Sequence, residues 1–163
     1  MNLLDVDLAI RVEDPRWEAL GLSALADRAV GAGLREVGLS GTFEVSLLAT
    51  DDAQMAELNQ AFRGKDKATN VLSWPAEPLA PPSPGAKPPL PGIEELGDIA
   101  LGYETCQREA LSAGKPHSDH VTHLIVHGLF HLLGYDHETE ADASLMEALE
   151  IRTLAKLGID NPY

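Results

Sequence analysis

The stretch His127-Gly128-Leu129-Phe130-His131-Leu132-Leu133-Gly134-Tyr135-Asp136-His137 constrains this chain more than any other. Its spacing is H-x-x-x-H-x-x-G-x-x-H. On a helix His127 and His131 lie one above the other on one face, with Cβ atoms about 5–6 Å apart. Val126, Leu129, Phe130, Leu132 and Leu133 give that helix the apolar bulk of a core element. Gly134 falls where the helix should end, because glycine enters the left-handed conformation cheaply. The chain can turn there and bring His137 beneath the other two. Three converging imidazoles make a metal site with an open coordination position, the catalytic rather than the structural arrangement for zinc. The plainer reading, hydrogen-bonded core histidines, suits two histidines four apart and is weakened by the glycine stop and the third histidine.

One position is informative by what it lacks. Zinc peptidases carry Glu as general base directly after the first histidine. Here that position is Gly128. A metal can still lower the pKa of its bound water to about 7 unaided. Peptide hydrolysis by the usual route is nonetheless disfavoured.

At 163 residues the chain is long enough for one domain with its own core. With 12 Lys and Arg against 26 Asp and Glu, the net charge is −14. That argues against unspecific binding of nucleic acid or anionic membrane, so the placing of the positive charges matters more than their number. A single cysteine, Cys106, excludes an internal disulfide, suits a reducing compartment and reads as a small buried apolar residue. The acidic start, Met1 to Asp7, is unlike a signal peptide, and histidines interrupt the most apolar helix. A cytoplasmic protein is expected.

Read in order, Leu4, Val6, Leu8, Ile10 and Val12 alternate as a half-buried strand. Asp14-Pro15 opens a helix with Trp17, Leu20, Leu25, Ala29 and Val30 inward, expected to stop at Gly31 and Gly33. Thr42 to Ala49 alternates again. Asp51, with Gln54 three later, caps a second helix whose inner stripe is Met55, Leu58 and Phe62. The polar loop 63–70 enters a short strand, Val71 to Trp74. Eight of the eleven prolines fall in 75–92, which reads as a surface insertion, partly extended and mobile. A strand at Gly97 to Gly102 and helices at Glu104 to Ala113, Ser118 to Leu133 and Thr139 to Leu157 complete the chain. The expected fold is a single α+β domain, residues 1–163, with a small mixed four-stranded sheet, about five helices and the histidines on a central, metalloprotease-like helix.

With these stretches in view, the chain resembles the YbeY family of bacterial endoribonucleases, the rRNA maturation factors. His127 to His137 is similar to the family's H-G-x-L-H-L-x-G-Y-D-H, with Phe130 for the usual leucine. Phe62 to Trp74 resembles F-R-x-K-D-x-P-T-N-V-L-S-F, with Ala68 for proline and Trp74 for phenylalanine. Gly97-Asp98-Ile99 resembles a G-D-I strand. The likeness covers most of the chain after residue 40. It implies one zinc ion on His127, His131 and His137, with Arg63 in the active cleft and required for RNA cleavage. It also implies a single-strand-specific endoribonuclease that matures the 3′ end of small-subunit rRNA and serves ribosome quality control.

The residues support that chemistry. Three neutral ligands leave a metal its full +2 charge, to polarise a phosphoryl oxygen or generate hydroxide. Whether water or the RNA 2′-hydroxyl attacks stays open. The planar fork of Arg63 meets phosphate oxygens bidentately. Lys65 and Lys67 follow it, so three of the twelve basic residues lie within five positions on an acidic protein. A solvated turn is the plainer reading of that run. Asn70 could bond phosphate or sugar, and Trp74 and Tyr103 could stack on bases, though Trp74 suits core packing better. Arg63, Lys65, Lys67 and Asn70 are thus the candidate RNA contacts; single-stranded RNA and the small ribosomal subunit are the expected partners, not DNA or membrane. His123 is expected in a structural hydrogen bond, Asp136 beside a ligand imidazole or in the turn, and His117 and His120 on the surface. Other readings of the motif are a metallopeptidase, a ribosome-assembly module with structural metal, and a redox triad of His127, His131 and Asp136.

Overall fold

Period-two alternation runs through the first strand as written in the sequence. The structure, a computed structural model, describes residues 3–163, so Met1 and Asn2 of the acidic start lie outside it. Strand β1, Leu4–Val12, pairs in parallel with β2, Gly41–Thr50, with Val6 opposite Phe43 and Ile10 opposite Leu47. β2 pairs in parallel with β4, Glu95–Gly102, and β4 takes the antiparallel edge strand β3, Val71–Pro75, on its far side. The sheet order is β1-β2-β4-β3. The fold is the mixed α+β arrangement expected, with five α-helices and one 3-10 turn among the described residues.

The two faces of the sheet carry different cores, because successive side chains point to opposite sides. Phe43, Val45, Leu47, Ile99 and Leu101 pack with α1 (Leu22–Glu36), α4 (His117–Leu132) and α5 (Glu140–Lys156). Leu48, Leu72, Trp74 and Ala100 face the other way, toward Met55 and Leu58 of α2 (Asp52–Arg63). A last helix, α3 (Tyr103–Ala113), joins β4 to α4. The histidine helix lies in the larger core, where Ile125, Val126, Leu129, Phe130 and Leu132 are fully buried. Each such large side chain contributes about 1.5–3 kcal/mol on leaving water. The helix that carries the candidate ligands is therefore anchored on its other faces.

Two expectations need correction. Asp14 does cap a helical segment, accepting from Arg16 N at 3.0 Å. That segment is a 3-10 turn, Pro15–Leu20, broken at Gly21, and α1 then runs through Gly31 and Gly33 to Glu36. Gly33 is not a stop. A Cβ there would come within 2.7 Å of Leu129 Cδ2, so this glycine lets α1 close onto the histidine helix. Phe62 does not line the inner stripe of α2; it is 61% exposed and meets Trp74 edge to face, ring centroids 4.9 Å apart.

Beyond Pro75, which ends β3, the proline-rich stretch has no helix or strand, but it is not free of the core. Leu79 is buried, and its carbonyl lies over Gly134. The amide of Gly85 donates to Asp142 at 2.9 Å. Asp142 in turn belongs to the cap of α5, where Thr139 accepts its amide at 3.1 Å. Cys106 is fully buried, as expected, and burial pushes its thiol up. No helix among the described residues is long and apolar enough to cross a membrane.

Candidate metal centre

Helix α4 ends as its glycine requires. Gly134 takes φ 98°, Gly134 N donates to His131 O at 3.1 Å and Tyr135 N to Phe130 O at 3.0 Å. This is the Schellman closure, and the Tyr135 and Phe130 rings pack across it with centroids 5.8 Å apart. The chain doubles back, and His137 returns beside the helix. One ligand atom from each of His127, His131 and His137 then lies within 4.8 Å of the others. The rings of His127 and His137 are 5.5 Å apart, and those of His131 and His137 5.2 Å.

The donor set fits a cation for a specific reason. His131 Nδ1 lies 2.9 Å from the carbonyl of Tyr135, and His127 Nδ1 lies 3.1 Å from Glu150 Oε2. Both partners only accept, so each Nδ1 carries the proton, by inference from these partners, and each Nε2 presents a lone pair. Those two lone pairs face each other at 3.0 Å. Facing lone pairs repel unless a positive centre lies between them. Burial pushes His131 down to about 4, helped by repulsion from His127 and His137, so its ring is neutral near pH 7, as a ligand must be.

The rest of the surroundings explains the missing glutamate. Gly128 faces the sheet, with its carbonyl accepting from Ser73 Oγ at 3.2 Å. A Cβ there would meet Ser73 Oγ at 3.0 Å, Ile99 Cγ2 at 3.2 Å and Val71 Cγ2 at 3.3 Å. A side chain at 128 would enter the β3–β4 packing rather than turn toward the histidines. Any side chain at the position a peptidase uses for its base would have to push Ser73, Ile99 and Val71 aside by a few tenths of an ångström.

Glu150, on α5, is fully buried beside the site. Its Oε1 accepts from His123 Nε2 at 2.6 Å and from the Tyr163 hydroxyl at 2.8 Å. Burial opposes its ionised form, yet the hydrogen bonds from His123 and His127 more than offset that and hold the carboxyl at about 2. A cavity of about 300 Å³ opens against His127, His137, Glu147, Glu150 and Tyr163. A larger groove of about 650 Å³ lies on the α2 face of the sheet, beside Leu48, Leu58, Phe62 and Trp74, and contains none of the histidines.

The basic loop leads from α2 into β3. Arg63 ends α2, and Arg63, Lys65 and Lys67 are all exposed. Among the described residues none of the three forms an ion pair. The loop runs through Asn70 into β3, and Ser73 of that strand touches Gly128, next to His127. At about 3.3 Å per residue, Asn70 and Ser73 are roughly 10 Å apart along the strand. Asn70 is spoken for: it donates to Glu109 at 3.0 Å and accepts from Val71 N at 2.7 Å. Tyr103 packs on Trp17 at 5.2 Å with Arg16 over its ring at 4.3 Å, which leaves little of it for a base.

The neighbouring residues follow the sequence reading in part. His123 takes the hydrogen-bonded place expected of it, on Glu150. Asp136 serves the turn, accepting from Glu138 N at 3.2 Å, and is not among the converging ligands. His117 and His120 are half-buried rather than free on the surface: His117 packs on Tyr103 at 5.2 Å, and His120 meets Glu109 at 2.9 Å. Glu150 and Tyr163 went unnoticed in the sequence. Glu150 occupies an inward position of an ordinary amphipathic helix, and only the crossing of α5 over α4 gives it partners.

Comparison with known proteins agrees with this arrangement. The family model described as Endoribonuclease YbeY matches residues 9–158, well before the point where the two motifs begin. The Endoribonuclease YbeY of Dinoroseobacter shibae is 58% identical over 160 aligned residues, 94% of this chain and 88% of that one. Those of Ruegeria pomeroyi and a Jannaschia species are 57% and 54% identical, over 96% and 97% of this chain and 97% and 100% of theirs. The solution structure of TM1509 from Thermotoga maritima shares the fold, with a TM-score of 0.57 at 20% identity over 93% of this chain and 91% of that one.

Proposed function

The chain belongs to the YbeY family of endoribonucleases, and from that premise we propose that it cuts single-stranded RNA at a zinc centre held by His127, His131 and His137. The substrate we propose is the 3′ end of small-subunit rRNA, on the small ribosomal subunit in the cytoplasm, in maturation and quality control. The observation that carries the metal reading is the pair of opposed Nε2 lone pairs. In this reading one domain holds both the metal centre and the basic loop, and residues 75–92 are a surface insertion in it.

His127, His131 and His137 would hold a divalent cation, which would supply Lewis-acid chemistry at a phosphoryl group. The protein's own groups do the rest. His131, neutral by burial, keeps its lone pair available. Arg63, free of any carboxylate, takes a phosphate bidentately and stabilises the negative charge that gathers as the P–O bond breaks. Lys65 and Lys67 bind flanking phosphates. The exposed Phe62, paired with Trp74, gives a base a surface to stack on beside Arg63.

A peptidase reading lacks a base, and a side chain at Gly128 would have to push its neighbours aside. Metal analysis together with cleavage of a single-stranded RNA by wild type, H131A and R63A tests the proposal. H131A should lose both metal and cleavage. R63A should keep metal and fold and lose cleavage. RNA cleavage at wild-type rates by both variants would overturn the reading.

A further inference from the structure

Glu150 is buried completely, and all its hydrogen bonds end on groups around the histidines. A carboxylate has no hydrogen to give, so each partner must supply one. His127 does so through Nδ1 at 3.1 Å, which leaves Nε2 as the only ring nitrogen able to bind a cation. His123 Nε2 at 2.6 Å and the Tyr163 hydroxyl at 2.8 Å occupy the other oxygen. The carboxylate is thereby held from one side while its second oxygen holds His127. The comparable anchor for His131 is a backbone carbonyl, that of Tyr135. Glu150 is not itself among the converging ligand atoms.

We propose that Glu150 is a positioning residue of the metal centre: clamped by His123 and Tyr163, it fixes the tautomer and orientation of His127 so that Nε2 faces the cation. A buried carboxylate aimed at the far nitrogen of a ligand histidine raises the basicity of that ligand and removes its rotational freedom. The inference rests on the metal reading above only in requiring a cation between the histidines. Through Tyr163 it also ties the segment after α5 to the centre, and that ring forms one wall of the 300 Å³ cavity there.

The test begins with wild-type protein loaded with zinc and needs no variant. Long-range proton–nitrogen correlation spectra should show His127 with its proton on Nδ1 and the metal on Nε2. Coordination through Nδ1 would overturn the proposal. Cobalt(II) titrations of E150Q and E150D then read the affinity and the visible absorption of the centre. Affinity should fall by about 10–100-fold with a changed spectrum. Wild-type affinity and spectrum in both variants would show that Glu150 is only a buried structural charge. Should the variants fail to fold, the wild-type spectrum still decides. Failure of wild type to take up zinc or cobalt would overturn the metal reading as well, which sets that failure apart from this one.

Discussion

The Nε2 atoms of His127 and His131 lie 3.0 Å apart, and neither carries a hydrogen for the other. Their Nδ1 protons are committed to Glu150 and to the Tyr135 carbonyl. A cation bound between these two nitrogens would use both lone pairs as ligands. Zinc should therefore stabilise the folded chain by mass action, by about 2.7 kcal/mol at a free concentration one hundred times Kd. For a chain of this length that raises Tm by roughly 5–10 °C. Differential scanning calorimetry with and without zinc checks it, and H131A should show no zinc-dependent rise.

Gly128 sits against Ser73, Ile99 and Val71. G128E, which would restore the peptidase pattern on paper, should not create a peptidase. It forces a carboxylate without a partner into the β3–β4 packing and should cost about 3 kcal/mol or more. Denaturant unfolding should show this loss. A well-folded G128E with wild-type stability would contradict the packing described here.

Gly134 has φ 98°, and a Cβ there would fall 1.9 Å from the carbonyl oxygen of Leu79. G134A should lower stability by about 1–3 kcal/mol from backbone strain alone, with the clash added. It should also weaken zinc binding, because the same turn aims the Tyr135 carbonyl at His131. Zinc affinity measured on the folded fraction separates the two effects.

Lys65 and Lys67 are exposed and unpaired, so their contribution to RNA binding should be electrostatic and sequence-tolerant. Each phosphate contact removed, as in K65A and K67A, should reduce the slope of log K against log salt by about 0.7 for a single strand. Binding titrations of an oligonucleotide across salt concentrations give the slope. Zinc content and Tm should stay at wild-type values, since neither lysine touches the centre.

Glu36 gives a pH prediction away from the metal. Hydrogen bonds from Lys156 and Arg152 hold its carboxyl below the usual range. The folded pKa is depressed, so the stabilisation is present above the unfolded value of about 4.3 and is lost as pH falls through the folded one. Both cations are largely exposed, which limits the gain to about 0.5–1 kcal/mol. E36Q should be less stable than wild type at pH 7, and the difference should shrink below about pH 4 in denaturant titrations.

Strand alternation, the caps at Asp14 and Asp51, and the glycine stop at Gly134 were all legible in the chain, because each is local: a period, a side chain reaching two or three residues along, a conformation only glycine takes cheaply. The same local reading misplaced Gly33. A glycine that ends a helix and one that admits a neighbouring helix are identical in sequence, and only the approach of Leu129 tells them apart. Phe62 keeps the spacing of the inner stripe of α2, but it meets the sheet only at the edge-strand ring of Trp74 and stays exposed.

Residue spacing alone determined that His127, His131 and His137 could converge, because two are joined by one helical turn and the third by a turn of fixed geometry. What surrounds them was settled by packing between elements far apart in the chain. The crossing of α5 over α4 puts Glu150 on His127, and the edge strand β3 packs against Gly128. Such contacts depend on how helices and sheet settle on a shared core, a balance of burial and shape that no local pattern encodes.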